Sequence, residues 1–147
     1  MSTRASKPSA WTARDLLGRK HHFSALPRLV AVGPDDTLRH AANLLQVYNL
    51  TQLPVLEGGR PVGALSVTTL LKHGGALPRL LEQPVRNLME KPLDTVKETA
   101  EYPDLLERFK GEPSAILVTG VSDILGVLTP VDVIAPWLTG AQNEYEI

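Results

Sequence analysis

The chain contains no cysteine. That excludes disulfides, thiolate metal sites and cysteine nucleophiles. Aromatic residues are scarce, at 5% against an apolar share of 43%, so a core must be assembled from Leu, Val, Ala and Ile. The same scarcity leaves no aromatic and basic platform for single-stranded nucleic acid. No apolar run approaches the length of a membrane span, and no secretory segment follows Met1. The expectation is a soluble cytoplasmic protein with no membrane partner. Charge of one sign is missing too: the formal net charge is −1, which gives no global pull toward nucleic acid or anionic surfaces. The local exception is residues 1–22, with Arg4, Lys7, Arg14, Arg19 and Lys20 against Asp15 alone. There is no P-loop, no nucleophile–base pair and no carboxylate cluster at metal-ligand spacing, so no enzyme and no cofactor are expected. His21 and His22 are adjacent, but neighbouring residues seldom point at one ion and no acid stands beside them, so no metal is assigned.

What the chain does have is a repeat. Residues 124–132 read I-L-G-V-L-T-P-V-D, a buried strand interrupted by Gly126 and followed by helix-start chemistry. Thr129 suits an N-cap, Pro130 the first helical position, and Asp132 approximates the acid of a capping box. A well-capped helix is the plain reading. The same group of amides, hydroxyl and carboxylate can also hold a phosphate and a sugar hydroxyl. Residues 60–71, R-P-V-G-A-L-S-V-T-T-L-L, align with residues 123–134 at an offset of 63, pairing Gly63 with Gly126, Ser66 with Thr129 and Thr69 with Asp132. Internal repetition therefore organises the fold.

Each copy predicts strand, helix, strand, strand, helix. In the first, these are 29–32, about 38–48, 53–56, 61–65 and 66 to about 73, with Gly58-Gly59 as a hairpin turn. In the second they are 93–96, 101–109, 115–118, 124–128 and 129–138, with Pro136 set to kink or end the last helix. A short turn or helix leads into each copy, residues 12–17 matching 84–89, and the first copy carries an eight-residue excess at 18–25. The expected organisation is a disordered basic arm at 1–11, repeat 1 at 12–73, a linker at 74–83, repeat 2 at 84–139 and a polar tail at 140–147.

With L-P-V-L at 53–56 and G-V-L-T-P-V-D at 126–132 standing in this twofold order, the chain resembles a tandem pair of CBS (cystathionine-β-synthase) domains, a Bateman module, over residues 12–139. The resemblance implies an α/β (α+β) fold of two βαββα repeats packed about a pseudo-two-fold axis, commonly paired again into a homodimer. It implies a regulatory module sensing an adenosyl ligand (AMP, ADP, ATP or S-adenosylmethionine) in the clefts between repeats. The motif Asp would hold the ribose hydroxyls and the motif Ser/Thr would contact phosphate. One cleft would use Thr129 and Asp132 with Leu50 and Thr51. The other would use Ser66 and Thr69 with Pro113 and Ser114, but Thr69 replaces the acid. A carboxylate accepts from two hydroxyls through charge-assisted bonds of about 1.5–3 kcal/mol each, whereas Thr offers one neutral oxygen; that site should be weak or empty. Two alternatives stand beside this reading: a structural or dimerisation module without ligand, and nucleic-acid binding through the basic arm, which the acidic remainder disfavours. An effector protein is a further implied partner. If Leu70, Leu71, Val133 and Ile134 share an outer face, that patch favours a homodimer.

Overall fold

The structure is a computed structural model that describes residues 7–111 and 113–138. In chain order its elements are α1 (Ala13–His22), α2 (Leu38–Val47), β1 (Gln52–Glu57), β2 (Arg60–Ser66), α3 (Val67–Leu71), α4 (Leu77–Leu80), β3 (Asp94–Lys97), α5 (Tyr102–Lys110), β4 (Ile116–Thr119), β5 (Ile124–Leu128) and α6 (Pro130–Leu138), with short 3₁₀ turns at Pro8–Ala10, Gly74–Ala76 and Val85–Asn87. Helix and strand are mixed as the α/β (α+β) expectation requires. The chain divides into two compact units, Val30–Leu93 and a discontinuous one made of residues 7–29 with 94–138.

In Val30–Leu93, α2 starts where the Thr37 hydroxyl accepts from the His40 amide, and it buries Leu38, Ala41 and Leu45 on one face. β1 and β2 form an antiparallel hairpin with Leu53 opposite Leu65. Gly58 and Gly59 both have positive φ (59° and 79°), as a two-residue turn of this hand requires. The strand predicted at 29–32 shrinks to a single parallel bridge from Val32 to Val55. Its cause is local: the chain turns at once, with the Asp36 amide bonding the Gly33 carbonyl, so no second residue pairs. α3 ends at Leu71 instead of about His73, and the linker holds the one helical turn of α4. The core gathers Val32, Leu38, Leu45, Leu53, Val55, Leu65, Val85 and Leu88.

In the other unit, β3 pairs parallel with β4, and β4 antiparallel with β5, with α5 as the crossover. Its core combines Trp11, Leu16 and Leu17 with Val96, Leu105, Ile116, Val118, Leu128 and Val133. The disordered arm predicted through residue 11 is therefore cut short. Residues Pro8–Ala10 form a turn with Pro8 buried, and Trp11 is in the core because its indole finds an apolar seat that offsets the ordering cost. Residues 1–6 of that arm and the predicted tail at 140–147 lie outside the described residues. α6 continues two residues past Pro136, which is itself buried.

The two lead-ins are treated alike. The Ala13 and Arg14 amides bond the carbonyls of Ala100 and Glu98, and the Val85 and Arg86 amides bond those of Asp36 and Pro34. Arg14 pairs with Glu98 at 2.7 Å and Arg86 with Asp35 at 2.6 Å. Each lead-in thus joins the unit built from the other repeat's strands. α1, capped reciprocally by Thr12 and Asp15, absorbs the first five residues of the excess at 18–25.

Candidate functional site

β5 delivers the chain to Thr129 and α6 begins at Pro130. The position of α6 is set by Tyr102, whose hydroxyl donates to the Val133 carbonyl at 2.8 Å and accepts from the Trp137 indole at 2.6 Å. One carboxylate oxygen of Asp132, Oδ2, accepts from the Thr129 amide at 2.8 Å and the Thr129 hydroxyl at 3.0 Å. The capping box is thus half built: the acid reaches back to the N-cap, while the hydroxyl gives its proton to the acid. A third donor fills the same oxygen. Lys20 Nζ lies 2.8 Å from Asp132 Oδ2 and 2.8 Å from the Val127 carbonyl. Both side chains are largely buried, at 17% and 12% exposure, and a pair so placed is costly to break from one side. Among the described residues no donor reaches Oδ1.

Gly126 explains how Lys20 arrives. A Cβ there would meet Leu17 Cδ2 at 3.0 Å and the Arg28 carbonyl at 3.1 Å, so any larger residue would press Leu17 and α1 back from β5 by a few tenths of an ångström. Leu17 seats the helix, and Lys20, about one turn on, faces Asp132. His21 is beside them. Burial, then the charges of Arg28 and Lys20, lower its pKa, and neither ring nitrogen has a partner among the described residues. Among the described residues no three His, Cys, Asp or Glu side chains form a metal cluster.

The second motif is built from the same parts with the charge reversed. A Cβ on Gly63 would lie 2.5 Å from Met89 Sδ; Met89 is the residue that matches Leu17 in the aligned lead-ins. The next residue, Glu90, exchanges backbone bonds with Ala64 at 3.0 and 2.7 Å. Its Oε2 accepts from the Ser66 hydroxyl at 2.8 Å and from the Thr69 hydroxyl, while the Thr69 amide donates to Ser66 Oγ at 3.1 Å. The bond from Thr69 is the chief cause that lowers the Glu90 pKa, aided by Ser66 and the charge of Lys72. So the acid absent at position 69 is supplied by Glu90. Sequence reasoning missed both Lys20 and Glu90. The aligned lead-ins carried the signal, since each has a charged residue shortly after its Leu17 or Met89.

Thr129 and Asp132 are brought together, as are Ser66 and Thr69. Leu50 is half-buried against the Val30–Leu93 core, and Thr51 is exposed at the head of β1, its carbonyl accepting from the Val67 amide. Pro113 is half-buried and Ser114 exposed just before β4. Each expected partner pair therefore belongs to a different unit from its motif. An open groove of about 860 Å³ lined by Thr95, Lys97, Glu101, Asp104, Arg108 and Thr119 contains none of these residues. The expected apolar patch divides: Leu70 and Val133 are buried, whereas Leu71 and Ile134 are exposed. On α6, Val131, Ile134, Trp137 and Leu138 form an exposed apolar face.

Comparison with known proteins bears on the fold. Residues 22–75 match the CBS domain family. Over that segment the chain carries a CBS domain. The CBS fold extends beyond the matched segment. The CBS-domain containing protein ATU1752 from Agrobacterium tumefaciens aligns with a TM-score of 0.70 and 24% identity, over 86% of this chain and 98% of that one. The CBS domain of the bacterial CNNM/CorC family Mg²⁺ transporter, solved in complex with ATP, aligns at 0.72 with 20% identity, over 89% of each chain. CBSX2, solved in complex with AMP, aligns at 0.68 with 22% identity, over 87% of this chain and 96% of that one. At such identities the likeness establishes the fold. The protein MJ1225 of Methanocaldococcus jannaschii is 26% identical over 125 residues, covering 73% of this chain and 45% of its own. The chain thus spans less than half of that relative's length.

Proposed function

We propose that this CBS-domain protein is a regulatory module that binds an adenosyl ligand at the Thr129–Asp132 motif and performs no chemistry on it. The observation that carries this is the pairing of a hydroxyl and a carboxylate 3.0 Å apart at the first turn of α6, where the helix end favours anions and Asp132 offers an oxygen, Oδ1, for a ribose hydroxyl. That structural relatives were solved with ATP and AMP supports the same reading. The test is a thermal-shift panel of AMP, ADP, ATP and S-adenosylmethionine on the full chain. A saturating rise with one of them is expected, since a ligand at 100 times its Kd stabilises by about 2.7 kcal/mol.

A structural or dimerisation role without ligand is the second reading. It is favoured by Lys20, which already occupies Asp132 Oδ2, and by the exposed apolar face of α6. No rise with any of the four compounds selects it. On either reading the protein pairs through α6, and an effector protein is the output of a regulatory module.

A further inference from the structure

The two motifs have the same scaffold and opposite supplied charges, and this difference goes beyond an adenosyl site. We propose that Lys20 and Glu90 set the charge each motif accepts: Lys20 draws a phosphate to the Thr129 motif, and Glu90 bars one from the Ser66 motif. The inference rests on the adenosyl reading and deepens it by assigning phosphate to one site only.

The argument is a count of donors. A phosphate needs N–H or O–H groups and positive charge. At the Thr129 motif the hydroxyl proton is given to Asp132, so Thr129 has none left for a ligand. Lys20 has three N–H groups. One serves the Val127 carbonyl and one Asp132, and among the described residues no acceptor takes the third. Its charge also cancels that of Asp132, which would otherwise repel the phosphate that a ribose brings with it. The ammonium is held from two sides on a buried stem, so its position is set before a ligand arrives.

At the Ser66 motif both hydroxyl protons are committed to Glu90. No side-chain proton there is left for a phosphate, and the Glu90 carboxylate, exposed but fixed by the two hydroxyls, stands beside it. Lys72 is exposed, and no ion pair joins it to Glu90 among the described residues, so water screens both charges and what sets the motif apart is its lack of a free donor. A neutral or cationic nucleoside meets no such barrier.

The test is calorimetry of AMP and adenosine on the full chain and on Lys20→Gln, Lys20→Arg and Glu90→Gln. The readout is the ratio of AMP to adenosine affinity within each variant, which a general loss of stability does not move. The wild type should bind one AMP per chain and prefer it to adenosine by about tenfold or more, the worth of one charge-assisted bond. Lys20→Gln should collapse that preference, Lys20→Arg should keep most of it, and Glu90→Gln should open a second AMP site. An unchanged ratio in Lys20→Gln, or no preference for AMP in the wild type, overturns the role of Lys20. An unchanged stoichiometry in Glu90→Gln overturns that of Glu90. If the wild type binds neither compound nor S-adenosylmethionine, the adenosyl reading itself falls and this inference falls with it. If it binds S-adenosylmethionine alone, the reading survives and the inference does not.

Discussion

Replacing Gly126 by alanine tests how closely α1 must approach β5. The added Cβ would stand 3.0 Å from Leu17 Cδ2 and 3.1 Å from the Arg28 carbonyl oxygen, well inside the 3.5–4.0 Å at which carbon atoms attract. The carbonyl belongs to the backbone and cannot rotate away. Leu17, 3% exposed, is hemmed in by the core. Overpacking of this kind costs about 1–3 kcal/mol. The alanine also restricts the unfolded chain and returns about 0.4–1 kcal/mol. Gly126→Ala should therefore destabilise by about 0–2.6 kcal/mol, with a fall in Tm of about 2–4 °C per kcal/mol in a chain near this size. Leu17→Ala alone should cost about 2–5 kcal/mol through its cavity. In the double variant the new methyl partly fills that cavity, so the loss should be smaller than the sum by about 0.5–3 kcal/mol. Urea unfolding of the four proteins measures this coupling. Strict additivity in the double variant would refute the claim that these two residues fix the approach.

Three further outcomes are expected. Asp132→Ala should weaken adenosyl binding by about 2 kcal/mol or more in calorimetry, and lower stability because it leaves Lys20 buried without its acid; Asp132→Asn keeps the shape and separates charge from packing, while Ser66→Ala should leave the same binding constant nearly unchanged. The lowered pKa of Glu90 makes a stabilising contribution that is complete above its ordinary value of 4.5 and lost as pH falls through the lowered one; Glu90→Gln should abolish that part of the acid loss, and an identical acid profile in both proteins would count against the Ser66–Glu90–Thr69 bonds. Sedimentation at micromolar concentration should show a dimer that Ile134→Lys converts to monomer; a wild-type monomer would mean the apolar face of α6 is covered by something other than a second copy.

Local chemistry was legible in the sequence. The Gly58-Gly59 turn, β5 and the Thr129–Asp132 pairing all depend on residues within a few positions of one another. The strand at 29–32 was not, because one apolar run cannot announce that Gly33 and Asp36 will turn the chain before a second residue pairs. The partners of α1 were hidden for a different reason. Periodicity says which face of a helix is apolar but not which neighbour will cover it, and Lys20 meets Asp132 across 112 positions. The missing acid at position 69 looked like a lost function when read within its motif; only the fold shows Glu90 returning a carboxylate to the two hydroxyls.

The exchange of lead-ins gives the chain a required order of completion as it is made. Val30–Leu93 is continuous and has every strand and helix it needs once its last residue has emerged. α1 is made before it, yet its cover, β5 and α6, comes more than 100 residues later. Until then a ten-residue helix too short to persist alone in water carries Leu16 and Leu17 uncovered. Synthesis thus closes the inner unit first and leaves the opening segment waiting for the final helix, so slowing translation between β3 and α6 should lengthen its exposure to proteases and chaperones while leaving the inner unit untouched.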